Sequence, residues 1–351
     1  PVTQQGLKFI RDSLRSDGSW PIDTNLATWN TTLAINALAA NGEDIVSEVD
    51  LDWLLSCQHT QRHPFTGAAP GGWGWTDLSG AVPDADDTAG ALLALGRMRA
   101  FCSDADHQRV LASAHMAINW LLDLQNRDGV WPTFCRGWGK LPFDRSGADL
   151  TAHALRALSC WRTEMASSVG RRMDRACQRC WRYLQEQLRA DGSWVPLWFG
   201  HQDHPDEENP VFGTARVVKA LQELGLGETS HAQRGFRWLE SVQQPDGGWS
   251  GSVPQQTSGK EESPSSVEET ALAVDALLGN RRSEPGNRQP LSCEVSNGLK
   301  WLVEAVLADR PMEKAPIGFY FAKLWYYEKL YPLVFAAAAL GQAVNCLAPQ
   351  P

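Results

Sequence analysis

Apolar residues recur three and four apart in six separate stretches of the chain, the spacing of a helix face rather than the alternation of a strand. The stretches are TWNTTLAINALAA (28–40), DDTAGALLALGRM (86–98), DLTAHALRALSC (149–160), GTARVVKALQEL (213–224), EETALAVDALLG (268–279) and YPLVFAAAALGQA (331–343). They are apolar nearly all round, which predicts buried helices. Many open on Asp, Ser or Thr, as helix N-caps do, and Ser266-x-x-Glu269 has the form of a capping box.

A second kind of segment precedes each of these and keeps charge on one face. GLKFIRDSLRSDGSW (6–20), AINWLLDLQNRDGVW (117–131), CWRYLQEQLRADGSW (180–194) and GFRWLESVQQPDGGW (235–249) are variants of one phrase. LDWLLSCQ (51–58), closed later by GGW (71–73), is a fifth, and GLKWLVEAV (298–306) keeps only the front half. Six copies of one helix pair predict an all-α fold, an α6/α6 barrel with six buried helices ringed by six outer ones. One barrel takes residues 1–351 with no domain boundary, and the polar stretches at 252–266 and 280–289 read as loops within it. In each Asp-Gly-x-Trp turn the Gly makes the turn and the Trp is expected to pack across to the neighbouring repeat.

Composition narrows the function. Hydrophobic residues at 43% and charged residues at 21% describe a soluble globular protein. A net charge of −9 disfavours nucleic acid as a partner. Eight dispersed cysteines with one CxxC, Cys177 and Cys180, form neither a disulfide framework nor a paired zinc site, which points to a reducing, cytoplasmic compartment. The longest apolar run, 331–344, is short of the ~20 residues a bilayer span takes. Sixteen Trp make up half of the aromatic residues, so Trp is either a structural device or a lining.

Candidate chemistry gathers at the start of two inner helices. Asp84, Asp86 and Asp87 fall within four residues. Capping accounts for one or two of them. Three carboxylates so close also push one pKa upward, which leaves a Brønsted acid protonated near neutral pH. Asp149 and His153 lie four apart on the next inner helix, hence on one face, where Asp149 could hold the imidazole as an imidazolium beside the acid. Aromatic residues at the ends of inner segments suggest a dry cavity whose π faces stabilise cations. Acid and aromatic cavity together suggest proton-initiated carbocation chemistry on an apolar substrate.

These residues resemble the squalene–hopene cyclases, the class II triterpene cyclases. PDADDTA is similar to their DxDDTA acid motif and the Asp-Gly-x-Trp phrases to their QW repeats, and PGGW, TAHALRAL and the 320–332 tail match in order. The resemblance implies a terpene cyclase, an isomerase of the intramolecular transferase kind, acting on squalene or a shorter linear polyprene without cofactor or metal. Asp86 would be the general acid, flanked by Asp84 and Asp87, with His153 oriented by Asp149. Trp29, Trp75, Phe134, Trp198, Phe212, Tyr320 and Tyr327 fall where the family places cavity aromatics. The resemblance further implies peripheral contact with the inner face of a membrane. Phe134 and Phe212 stand where hopene-forming members have Tyr, which leaves the product open. The chain matches the acid-bearing barrel of the family's two, so a second barrel or a second copy is an expected partner. Other readings weigh less: a zinc site at Cys57, His59 and His63, an Mg²⁺ site at Asp203, Asp206, Glu207 and Glu208, and a non-catalytic barrel that binds lipid or protein.

Overall fold

Four of the outer helices are tied at their C-termini by the buried tryptophan of the turn that follows. The indole N–H of Trp73, Trp131, Trp194 and Trp249 donates to the carbonyls of Leu54, Leu121, Leu184 and Leu239 at 2.7–2.8 Å, and all four side chains are fully buried. A buried indole needs a partner for its one donor, and the last turn of a helix offers carbonyls without one. The backbone N–H of Trp73, Trp194 and Trp249 donates to Thr88, Thr214 and Thr270 of the next inner helix, at 2.9 Å each. The turn itself is closed by its aspartate: Asp128, Asp191 and Asp246 accept from the N–H two residues on.

The expected packing across repeats is present. A Cβ on Gly235 would lie 2.7 Å from the Trp194 ring, and one on Gly298 would lie 2.6 Å from the Trp249 ring. The leading Gly of the repeat phrase is therefore the seat of the preceding repeat's Trp.

The computed structural model describes residues 2–16, 18, 20, 25–39, 48–78, 80–133, 144–252, 264–279, 283–284, 287–288, 290–310, 313, 315, 317–319 and 324–347. Inner helices α2 (Ala27–Ala39), α4 (Ala85–Met98), α6 (Ala148–Trp161), α8 (Pro210–Glu223), α10 (Val267–Gly279) and α12 (Tyr331–Leu347) alternate with outer helices. The outer set is α1 (Val2–Asp12), α3 (Glu48–Ser56), α5 (Asp104–Leu124), α7 (Ser167–Gln187), α9 (Ser230–Ser241) and α11 (Cys293–Leu307). The inner helices pack in the order α2–α4–α6–α8–α10–α12 and close on α2 again, the α6/α6 ring that the repeats predict. No helix among the described residues is long and apolar enough to cross a membrane.

Two features depart from the simple ring. Strands β1 (Phe199–His201), β4 (Ile317–Phe319) and β5 (Leu324–Tyr326) form a small antiparallel sheet, and β2 (Ser283–Glu284) pairs with β3 (Asn287–Arg288) inside the stretch expected to be loop. Helix α1 has no buried residue, and Leu7, Phe9 and Ile10 are exposed. Trp20 repeats the indole bond, to Ile10 O at 2.6 Å, yet is itself exposed because α1 is not seated against the ring.

Contacts at both ends of the ring show the inner helices running parallel. At the N-terminal end, Trp29 of α2 meets Tyr331 of α12, and Asn209, the N-cap of α8, meets Glu269 of α10. At the other end, Arg156 of α6 makes a two-pronged ion pair with Glu223 of α8, and Lys219 of α8 pairs with Asp275 of α10. All the chemistry that follows lies at the N-terminal end.

Candidate active site

Asp84 caps α4: its Oδ1 accepts the Asp87 N–H at 2.8 Å. That bond fixes the first turn and sends the next carboxylates in different directions. Asp87 turns back into the protein, and burial pushes its carboxyl well above the ordinary range, with the Asp84 charge adding to the effect. Burial likewise raises Asp84 to about 7, although the hydrogen bonds from Asp87 pull against it. The carboxyls that burial raises are thus the two inner members of the cluster.

Asp86 points the other way, toward the lumen. Its Oδ1 lies 2.5 Å from His153 Nδ1 on α6, so one proton sits between the two side chains. Burial lowers the His153 pKa, and the Asp86 charge offsets that only in part. The ring is therefore favoured as a neutral imidazole, not as the imidazolium that the sequence suggested. Room for it comes from Gly90, one turn below Asp86, where a Cβ would press on Thr32 Oγ1 at 2.9 Å and approach the His153 ring at 3.7 Å.

Asp149 takes a different part from the one expected. Although it shares a helix face with His153, its Oδ1 accepts the Leu197 N–H at 3.1 Å, and its other oxygen is buried without a partner. Burial raises it to about 6. Asp149 anchors the loop that carries Trp198, while Asp86 itself orients His153.

The aromatic expectations divide. Trp29 is buried, stands edge-on to His153 with centroids 6.3 Å apart, and donates its indole N–H to the Tyr331 hydroxyl at 2.7 Å. Trp198 and Phe212 are buried and Trp75 is half-buried, its carbonyl accepting from Trp29 N at 3.3 Å. Phe212 stacks near Phe199, with centroids 4.8 Å apart. Phe134 and Tyr320 lie outside the described residues. Tyr327 is a correction: it is 57% exposed. Side chains alternate along β5, so the inward place falls to Tyr326, whose hydroxyl bonds Tyr331. The sequence reading missed Tyr326 by one register position, and it also missed Tyr331.

The rival sites are not assembled. Among the described residues no group of three or more His, Cys, Asp or Glu could hold a metal ion. His63, expected in a solvated loop, is instead buried, with Nδ1 accepting from Thr66 N at 3.2 Å.

A second carboxylate pair lies across the ring. Glu268 and Glu269 of α10 occupy the register of Asp86 and Asp87, and Ser266 caps α10 as Asp84 caps α4. The same strand-like bridge precedes each helix, Trp249 to Ser266 and Trp73 to Asp84. The repeat register, read through the Thr that follows each pair, was the signal that could have found it.

The family profile of the squalene-hopene cyclase C-terminal domain matches residues 25–345. The chain is 28% identical over 347 residues to the terpene cyclase-glycosyl transferase fusion protein fsoA of Humicola fuscoatra, across 86% of this chain and 24% of that protein. Its fold is similar to ent-copalyl diphosphate synthase from Streptomyces platensis, with a TM-score of 0.64 and 23% identity over 97% of this chain and 54% of the synthase. It is also similar to the type II terpene cyclase MstE from Scytonema, with a TM-score of 0.60 and 15% identity over 98% of both chains. The chain therefore spans about a quarter of that curated relative, about half of the synthase fold and nearly the whole of the MstE fold. With the profile covering the ring from α2 to α12, the chain belongs to the squalene-hopene cyclase C-terminal domain family, within the class II terpene cyclases.

Proposed function

We propose that this chain is a proton-initiated terpene cyclase, an isomerase that folds squalene or a shorter linear polyprene into rings, with Asp86 as the general acid. The observation that carries the reading is the Asp86–His153 contact of 2.5 Å at the lumen end of two inner helices. It sets one carboxyl oxygen on an imidazole whose ring stands edge-on to Trp29, the partner of the Tyr331 hydroxyl.

Water is the only other reactant the steps need. The proton of Asp86 adds to the CH carbon of the terminal trisubstituted alkene, leaving a tertiary cation and the Asp86 carboxylate. Successive alkenes attack in turn, and each closure moves the charge along the chain. The last cation loses a proton to water to give an alkene, or takes water, which then sheds a proton to solvent, to give an alcohol. A proton from water, relayed through His153, restores Asp86. Burial keeps Asp87 protonated and raises Asp84 to about 7, so the site carries less negative charge than three carboxylates would. Trp29, Trp75, Trp198 and Phe212 supply π faces for the moving cation. Phe134 and Tyr320 are proposed for the same wall from their sequence positions.

A substrate this apolar reaches the protein from lipid, so the chain would work as a cytoplasmic barrel resting on the inner face of a membrane. The exposed apolar residues of α1 favour a second body against that helix, whether a second barrel or a second copy. The test is product analysis. Squalene, geranylgeranyl and farnesyl substrates in detergent, with chelator present, should yield a cyclic isomer or its hydrate by gas chromatography and mass spectrometry. Linear substrate recovered unchanged from every incubation, with apolar ligand binding intact, would favour the binding barrel instead.

A further inference from the structure

Arg216 lies two turns into α8, at the depth of His153 on α6, and is only half-buried on a helix whose neighbours in sequence are nearly all buried. An inner-helix side chain that still meets solvent faces the lumen. Its guanidinium lies over the Phe212 ring, 5.4 Å from the centroid, and among the described residues no carboxylate stands within ion-pair distance of it. Arg156, by contrast, one helix away, is clamped by Glu223.

The charges that act on Arg216 come from three other helices of the same ring. They are Asp86 of α4, Asp149 and Arg156 of α6, and Tyr331 of α12, and of these Asp86, once ionised, acts on it most strongly. Arg216 in turn acts on His153, where its charge opposes protonation of the imidazole. With no carboxylate at ion-pair distance among the described residues, this cation is costly to the resting protein, and burial pulls down its pKa. It would also repel a carbocation. Both costs vanish at one moment, when a neighbouring acid has just become a carboxylate.

We propose that Arg216 is a positioning residue for the acid: a fixed positive charge that gains its counter-ion only as Asp86 gives up its proton. This rests on the reading of Asp86 as the acid. Interactions that strengthen only in the transition state raise the rate rather than the affinity, and a charge held in place beforehand needs no rearrangement to act.

The experiment compares wild type, Arg216→Gln and Arg216→Lys in three measurements: turnover of the polyprene, thermal unfolding, and titration of ¹⁵N-labelled histidine followed by NMR. Arg216→Gln should lose roughly 10²-fold in kcat with KM little changed, as for removal of a preorganised charge-stabilising group. Its unfolding midpoint should stay or rise, because an unpaired charge has been removed. His153 should take up its proton at higher pH, by about half a unit or more. Arg216→Lys should recover most of the rate. The proposal fails if Arg216→Gln keeps kcat within about threefold, a loss too small for this role. It also fails if the loss appears in KM alone, which would make Arg216 a handle for a polar substrate group, or if rate and unfolding midpoint fall together without rescue by Lys. Should wild type make no cyclic product, or Asp86→Asn keep making it, the reading of Asp86 falls. The His153 titration still decides the inference then, since an unmoved midpoint shows that the Arg216 charge does not reach the pair.

Discussion

The N-termini of α4 and α10 stand opposite each other in the ring and are built on one plan. In each, a Trp bridges to a capping residue, the cap accepts the N–H three residues on, and a Thr ties the helix back to the Trp. In each, two carboxylates follow the cap. The outcomes differ because the neighbours differ. Asp86 meets an imidazole from α6 and stays open to the lumen. Glu268 meets the Ala315 N–H at 3.0 Å, is 2% exposed, and keeps one oxygen buried without a partner among the described residues. The plan supplies a carboxylate at a helix N-terminus, and its neighbours decide whether it meets an imidazole, as Asp86 does, or is sealed in the wall, as Glu268 is.

The sharpest break in that comparison is Asp86→Asn. A general acid contributes about 10²–10⁴-fold, so turnover should fall by roughly 10³-fold or more while the unfolding midpoint stays within a few degrees. Next comes His153→Ala, which removes what distinguishes α4 from α10. Turnover should fall about 10²-fold, against a stability loss of only about 1–2 kcal/mol by denaturant titration. Equal losses in rate and stability would make His153 a packing residue.

The shared plan can be tested on its own. Trp73→Phe and Trp249→Phe each remove one buried indole bond, to Leu54 and to Leu239. Denaturant midpoints should report similar costs of about 1–3 kcal/mol at both sites, since the donor to a buried carbonyl and packed volume are lost alike. Costs that differ by more than about 2 kcal/mol would show that the two frames are not equivalent.

The smallest effect belongs to Glu268→Gln, which should keep turnover within about threefold, the scatter of a substitution away from the chemistry. Its signature is in the pH dependence of stability. Burial first, and then the Glu269 charge, raise Glu268 to about 8, and burial raises Asp84 to about 7 and Asp149 to about 6. In the unfolded chain such groups lose their protons near pH 4, so between about pH 4 and 8 the folded chain binds more protons than the unfolded one. Stability should therefore fall as pH rises through that window. Glu268→Gln should flatten the part of the fall that extends to the highest pH, as read from thermal midpoints at each pH.

The repeat phrases made most of the fold legible, because a buried helix must be apolar all round and a buried indole must find a carbonyl. Docking of α1 was not legible, since its sequence carries the same phrase as the helices that do pack. At the site, Asp84, Asp86, Asp87 and His153 could be read from spacing, and the structure brings them together. The role of Asp149 could not be, because its partner Leu197 lies 48 residues away in a loop with no pattern of its own. Arg216 is one charged position in an apolar stretch, and only the closed ring sets it on an inner helix packed against the one that bears His153. Tyr326 and Tyr327 are adjacent in sequence, and the alternation of β5 alone chooses between them.

The central claim is that Asp86 starts the reaction with a proton drawn from water, and its most direct test is cyclisation in D₂O. Wild type should give a product carrying one carbon-bound deuterium per molecule, on the ring CH₂ beside the gem-dimethyl carbon, and Asp86→Asn should give none. A cyclic product without that deuterium, or one formed by Asp86→Asn at the wild-type rate, would contradict the account.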